Sequence, residues 1–91
     1  MMLKLPSEVL EEIATRAKKK RQAQKLSQQD LADKSGVSFG SVKRFETTGK
    51  ISMESLLQIA VVLDSLEDFD LLFKADATPR SLDDILKSSR R

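Results

Sequence analysis

Ala32 and Gly36 lie four residues apart, with Leu31, Val37, Val42 and Phe45 spaced around them. Two short helices that cross steeply through a tight turn need a small residue where they meet and a turn residue that tolerates positive φ. Ala32 fills the first need and Gly36 the second. Leu31, Val37, Val42 and Phe45 stand at the offsets that seal such a pair. An alanine and a glycine alone would be common by chance; six positions at these offsets are informative. They predict a helix-turn-helix from about Gln28 to Thr47.

The flanking signals agree with this unit. Ser27-Gln28-Gln29-Asp30 is a capping box that opens the first of the two helices. Ser38 is placed to cap the second, predicted from Phe39 to Thr47, and Thr48-Gly49-Lys50 breaks the chain. Upstream, Pro6-Ser7 reads as a helix start with Ser7 as cap, and Glu8, Glu11 and Glu12 suit the positive end of the helix dipole. Leu10, Ile13, Ala14 and Ala17 then recur at helical spacing, which predicts a first helix from about Ser7 to Gln24. Downstream, Ser52 opens a fourth helix over about Met53–Leu63, with Leu56, Ile59, Ala60 and Leu63 on one stripe and Val61 and Val62 off it. Ser65-Leu66-Glu67-Asp68 reads as a capping box for a short fifth helix ending near Phe73. Lys74 to Pro79 reads as a linker, and Ser81–Leu86 as a last short amphipathic helix. The expected organisation is an arm at 1–6, one domain at 7–73 and a C-terminal tail at 74–91. Ninety-one residues leave little room for a second domain.

Net charge is only +2, but its distribution is uneven. Arg16 to Lys50 holds ten basic residues against three acidic ones, a net +7. The segments on either side are net acidic, at −2 and −3. Such a basic stretch attracts polyanions. If Val42 and Phe45 face the core, the outer face of their helix follows from a step of about 100° per residue. Gly40, Lys43, Arg44 and Thr47 cluster there, and Phe39 lies at the edge, where it either meets a base or packs against the first helix. Taken alone, Lys43 and Arg44 read as solvated charges. Joined to the +7 segment, the face reads as a contact with duplex DNA. Phe39 suits a thymine methyl, Arg44 or Lys43 suits guanine O6 and N7, and Gly40 lets the backbone approach closely. Gln28, Ser38 and the helix N-termini suit phosphate oxygens, with Thr47, Thr48 and Lys50 on the far side.

Other classes fit poorly. The chain has no Cys and no His, so thiol chemistry, disulfides and the commonest general base and zinc ligand are missing. No spacing of carboxylates, Lys or Ser marks a catalytic site, and no cofactor is expected. No apolar run approaches the roughly 20 residues of a membrane span. The N-terminus lacks the apolar stretch of a signal peptide, so a cytoplasmic protein is expected. Single-stranded RNA recognition uses aromatic stacking platforms, and this chain has four Phe and no Trp or Tyr.

The run from Leu26 to Ser38, followed by Val42, Arg44, Phe45, Glu46 and Gly49-Lys50, resembles the Cro/C1-type (XRE) helix-turn-helix family. Leu56 to Ala60, with Leu63 and Leu66, is similar to that family's fourth and fifth helices. The resemblance spans about residues 8–73. It implies an all-α, five-helix lambda-repressor-like domain, dimeric binding to a palindromic operator, and repression. It also places Gln28 beside phosphate and Phe39, Gly40, Lys43 and Arg44 at the base-reading positions. The family commonly carries Gln or Ser where Phe39 and Gly40 stand, and turns sooner than Glu46-Thr47-Thr48-Gly49. Val61, Val62, Leu66 and Phe69 are the expected dimer surface. Within the family, the size and the tail resemble HipB-like antitoxins. Those repress their own operon and bind a HipA-type kinase toxin, which makes Leu72, Phe73 and Ser81–Leu86 candidates for toxin contact.

Overall fold

Four α-helices and one 3-10 helix make up the computed structural model, which describes residues 4–75. They are α1 (Pro6–Ala23), α2 (Gln28–Ser35), α3 (Phe39–Thr48), α4 (Met53–Val62) and the 3-10 helix Leu66–Leu71. The described residues contain no strand, as an all-α fold requires.

Each start has a chemical reason, and one differs from expectation. Helix α1 begins at Pro6, whose fixed φ and missing N–H suit the first helical position. Ser7 therefore lies inside the helix and is not its cap. Glu8 does the capping instead, its Oε1 accepting the Leu5 N–H at 2.8 Å. At α2 the capping box is complete: Ser27 Oγ accepts from Asp30 N–H and Asp30 Oδ2 accepts from Ser27 N–H, each at 2.9 Å. Ser38 and Ser52 cap α3 and α4 by the hydroxyl bond alone, accepting from Ser41 and Ser55 N–H at 3.1 Å.

The ends divide into two kinds. Gly36 (φ +78°) and Gly49 (φ +81°) close α2 and α3 in the left-handed region that glycine enters without a Cβ penalty. Lys25 (φ 61°) and Asp64 (φ 56°) do the same after α1 and α4 without being glycine.

The core gathers Ala14 from α1, Leu31 and Ala32 from α2, Val37 from the turn, Val42 and Phe45 from α3, and Ile59 and Leu63 near the end of α4. Ile13, Ala17, Ile51, Leu56 and Val62 pack partly against it. Burying each of the larger aliphatic or aromatic side chains is worth about 1.5–3 kcal/mol. Helix α3 rests on α1 and α2, and α4 rests on α2. This arrangement holds α3 from behind along its length.

Two further expectations change at the C-terminal end. Val62, grouped with Val61 as lying off the core stripe, packs partly onto the core, whereas Val61 is 59% exposed. The Ser65 capping box does not form. Its hydroxyl donates to Leu63 O at 3.0 Å and accepts from Lys20 Nζ at 2.6 Å. The next residues wind as a 3-10 helix and not the expected α-helix. The expected helix at Ser81–Leu86 lies outside the described residues, as do Met1–Leu3 of the arm.

Candidate nucleic-acid interface

The inner face of α3 is immobilised by packing and by charge. Val42 is 0% and Phe45 1% exposed. Beside them Glu46 meets Arg21, the end of the buried stripe on α1. Arg21 Nε donates to Glu46 Oε2 at 2.7 Å and Nη2 to Oε1 at 3.0 Å, while Nη1 donates to Leu26 O at 2.7 Å. Gln28 Nε2 adds a bond to Glu46 Oε1 at 2.9 Å. The Arg21 and Glu46 side chains are 9% and 3% exposed. A two-pronged guanidinium–carboxylate pair of this geometry satisfies both partners and fixes their relative orientation. It ties the end of α1 and the start of α2 to the last turn of α3.

Counting Arg21 among the ten basic residues of 16–50 says nothing of its burial. A signal was available: Ala14, Ala17 and Arg21 follow one another at helical spacing on the core-facing side of α1. Because Arg21 and Glu46 leave the surface together, the net +7 of residues 16–50 is unchanged.

On the other side of α3, Phe39, Gly40, Lys43, Arg44 and Thr47 are exposed, and so is Lys50 beyond the helix. Phe39 keeps 40% of its surface exposed, and Lys43 Nζ sits 5.4 Å from the centre of its ring. A Cβ built on Gly40 would meet nothing within 4 Å. Of the nine residues singled out from the sequence, four have side chains hydrogen-bonded within the chain. Gln28 holds Glu46, Ser38 Oγ caps α3 and donates to Ser41 Oγ at 2.9 Å, and Thr47 Oγ1 donates to Lys43 O at 2.9 Å. Thr48 is likewise engaged, its hydroxyl donating to Arg44 O at 2.8 Å and accepting from Lys50 N–H at 3.0 Å.

Beside α3 a cleft is lined by Ser41, Arg44, Lys50, Ile51, Ser52 and Ser55. It brings the cations of Arg44 and Lys50 to one opening at the N-terminus of α4. Ser41, Ser52 and Ser55 were not singled out beforehand; Ser52 was legible only as a cap. The N-terminus of α2 carries a local charge as well. Its capping bonds from the Ser27 backbone and hydroxyl hold the Asp30 carboxyl below the ordinary carboxylate value. Among the described residues, no group of acidic side chains is arranged to hold a metal ion, and no helix is long and apolar enough to cross a membrane.

A helix-turn-helix family model matches residues 18–69, more than half of the chain. A search of curated proteins finds no match. The matched span runs from the basic end of α1 through α2, the Gly36 turn, α3 and α4 into the 3-10 helix, with the earlier part of α1, which carries the core residue Ala14, outside it, and the chain belongs to the Cro/C1-type (XRE) family of helix-turn-helix DNA-binding proteins.

Proposed function

We propose that the protein is a sequence-specific regulator of transcription that binds double-stranded DNA as a homodimeric repressor, with α3 in the major groove. The observation that carries this reading is the two-sidedness of α3. Its inner face is locked by Val42, Phe45 and Glu46, and its outer face leaves Lys43 and Arg44 exposed to solvent. Arg44 is the reader of guanine O6 and N7. Lys50 and the amide groups at the starts of α2 and α4 position the phosphate backbone. Gln28 keeps a second amide N–H for a phosphate while its first holds Glu46.

For the dimer, Leu57, Val61, Leu66 and Phe69 line a shallow apolar surface edged by Asp64, Glu67 and Asp70. Two copies joined there would place two recognition helices on successive major grooves, about 34 Å apart. Selection from a random duplex pool, followed by footprinting, tests both parts. Two half-sites are expected, with Arg44→Ala costing about 1–3 kcal/mol of discrimination at one base pair and affinity falling steeply with salt. A Val61→Asp variant is expected to shift the protein toward monomer. Tight binding with unchanged specificity in Arg44→Ala would remove α3 as the reader.

A second reading, an antitoxin whose main task is to hold a kinase toxin, is favoured by one observation. Leu71, Leu72 and Phe73 are 71%, 52% and 102% exposed, forming an apolar end outside the proposed dimer surface. Stoichiometric co-purification with a kinase encoded beside it, lost in a Leu72→Asp/Phe73→Asp variant, would support that reading.

A further inference from the structure

Gly40 sits in the first turn of α3, where glycine is the poorest helix former apart from proline. The fold gives no reason for it. Its φ is not in the left-handed region, and a Cβ there would meet no heavy atom within 4 Å beyond its own helical turn. Gly49, by contrast, is required internally: its Cβ would lie 2.7 Å from the Leu10 carbonyl carbon. The empty place at Gly40 is bordered by an exposed aromatic ring, Phe39, one residue before it. Lys43 one turn later holds its ammonium 5.4 Å from the ring centre, a distance at which a cation is attracted to an aromatic face and, at an exposed site, biases the ring without fixing it. Lys43 is thereby drawn toward Phe39 rather than standing as an independent hydrogen-bonding reader.

We propose that Phe39, Gly40 and Lys43 act as one unit that recognises the 5-methyl group of a pyrimidine in the major groove, with Arg44 beside it as a separate reader of guanine. This deepens the proposed function and rests on it. The bare backbone at Gly40 admits the base edge, the Phe39 ring supplies an apolar surface for the methyl, and the Lys43 charge favours the ring position seen here. In duplex DNA the major groove displays this methyl on thymine. Cytosine methylated at C5 carries the same group at the same ring position, so the unit accepts both and operator affinity responds to cytosine methylation.

The test uses the full chain and the duplex recovered by selection. Each thymine of a half-site is replaced in turn by deoxyuridine, which removes only the methyl. At one position per half-site, affinity is expected to fall roughly fourfold, the worth of one buried methyl-sized group. Placing cytosine there should also weaken binding, and 5-methylcytosine should recover the same fourfold over cytosine. In Phe39→Ala the uridine and methylcytosine effects should vanish while Arg44-dependent guanine preference remains. Phe39→Leu, which keeps an apolar surface, should retain part of the methyl effect. Phe39 is outside the core, and an unchanged melting temperature confirms that these variants fold. The proposal is overturned if no uridine substitution changes affinity, if the change persists in Phe39→Ala, or if the selected half-site has no constant thymine. In each of these cases, a footprint and an Arg44→Ala effect would leave the DNA-binding reading standing. Selection that recovers no sequence at all would sink both.

Discussion

The α2–α3 pair and the stretch from α4 to the 3-10 helix are built by different means. In the pair, serine side chains start both helices, glycines end both, and buried side chains face inward along both. At the other end α4 closes through Asp64 in the left-handed region, Ser65 turns back to Leu63 O, and the 3-10 helix has no buried residue. Val61, Leu66, Leu71, Leu72 and Phe73 are left exposed. The first region is complete within one chain, whereas the second has apolar surface still to cover. On the function proposed above, the first region meets DNA and the second meets protein.

Changes in the two regions should differ in size, and the largest belongs to the pair. Glu46→Ala leaves the Arg21 guanidinium buried and unpaired, and is expected to cost about 3–5 kcal/mol in urea unfolding. A loss below about 1 kcal/mol would mean that packing alone holds α3. Next come the two helix-ending glycines. Gly49→Ala combines a strained φ with a clash against the Leu10 backbone and should cost about 2–5 kcal/mol. Gly36→Ala meets open space, so only the backbone penalty of about 1–2 kcal/mol applies. Equal losses in calorimetry would show that the close approach at Gly49 relaxes freely. At the other end the sign reverses. Asp64→Gly relieves a left-handed non-glycine residue and should stabilise by up to about 1 kcal/mol. A loss instead would show that the Asp64 side chain has a stabilising role of its own.

The smallest effect concerns Asp30. Its carboxyl titrates below the ordinary value of 3.8 in the folded chain. Its stabilising contribution is therefore full above that value and fades as the pH falls through the lower folded one. Asp30→Asn should flatten the acid limb of a stability-against-pH curve while leaving the shape near neutrality alone. An identical acid limb in both proteins would remove the capping box as its source.

The contrast also explains what could be read from residues alone. Ser27, Ser38, Ser52, Gly36 and Gly49 act through their own backbone neighbours, so local spacing revealed them. Val42 and Phe45 were legible because a helix repeats, and their burial places Lys43 and Arg44 outward. Arg21 and Glu46 are 25 residues apart, and nothing local pairs them; only the continuation of the α1 stripe hinted that Arg21 turns inward. Ser7 looked like a cap until Pro6 took the first helical position. Ser65 looked like one because its spacing to Asp68 was right, but Lys20 reaches it from 45 residues away. Lys25 and Asp64 end their helices without the residue type that normally announces it. The cleft beside Arg44 depends on how α3 and α4 approach each other, which no single segment encodes.

The approach of Gly49 to Leu10 has a mechanical consequence. Where two peptide planes meet with no side chain between them, there are no rotamers to absorb a displacement, and the contact behaves as a hard stop. The first half of α1 therefore limits how far the end of α3 can shift toward it. A push on that part of the chain, from a bound partner or from an altered N-terminus, would be passed on to α3 as a displacement.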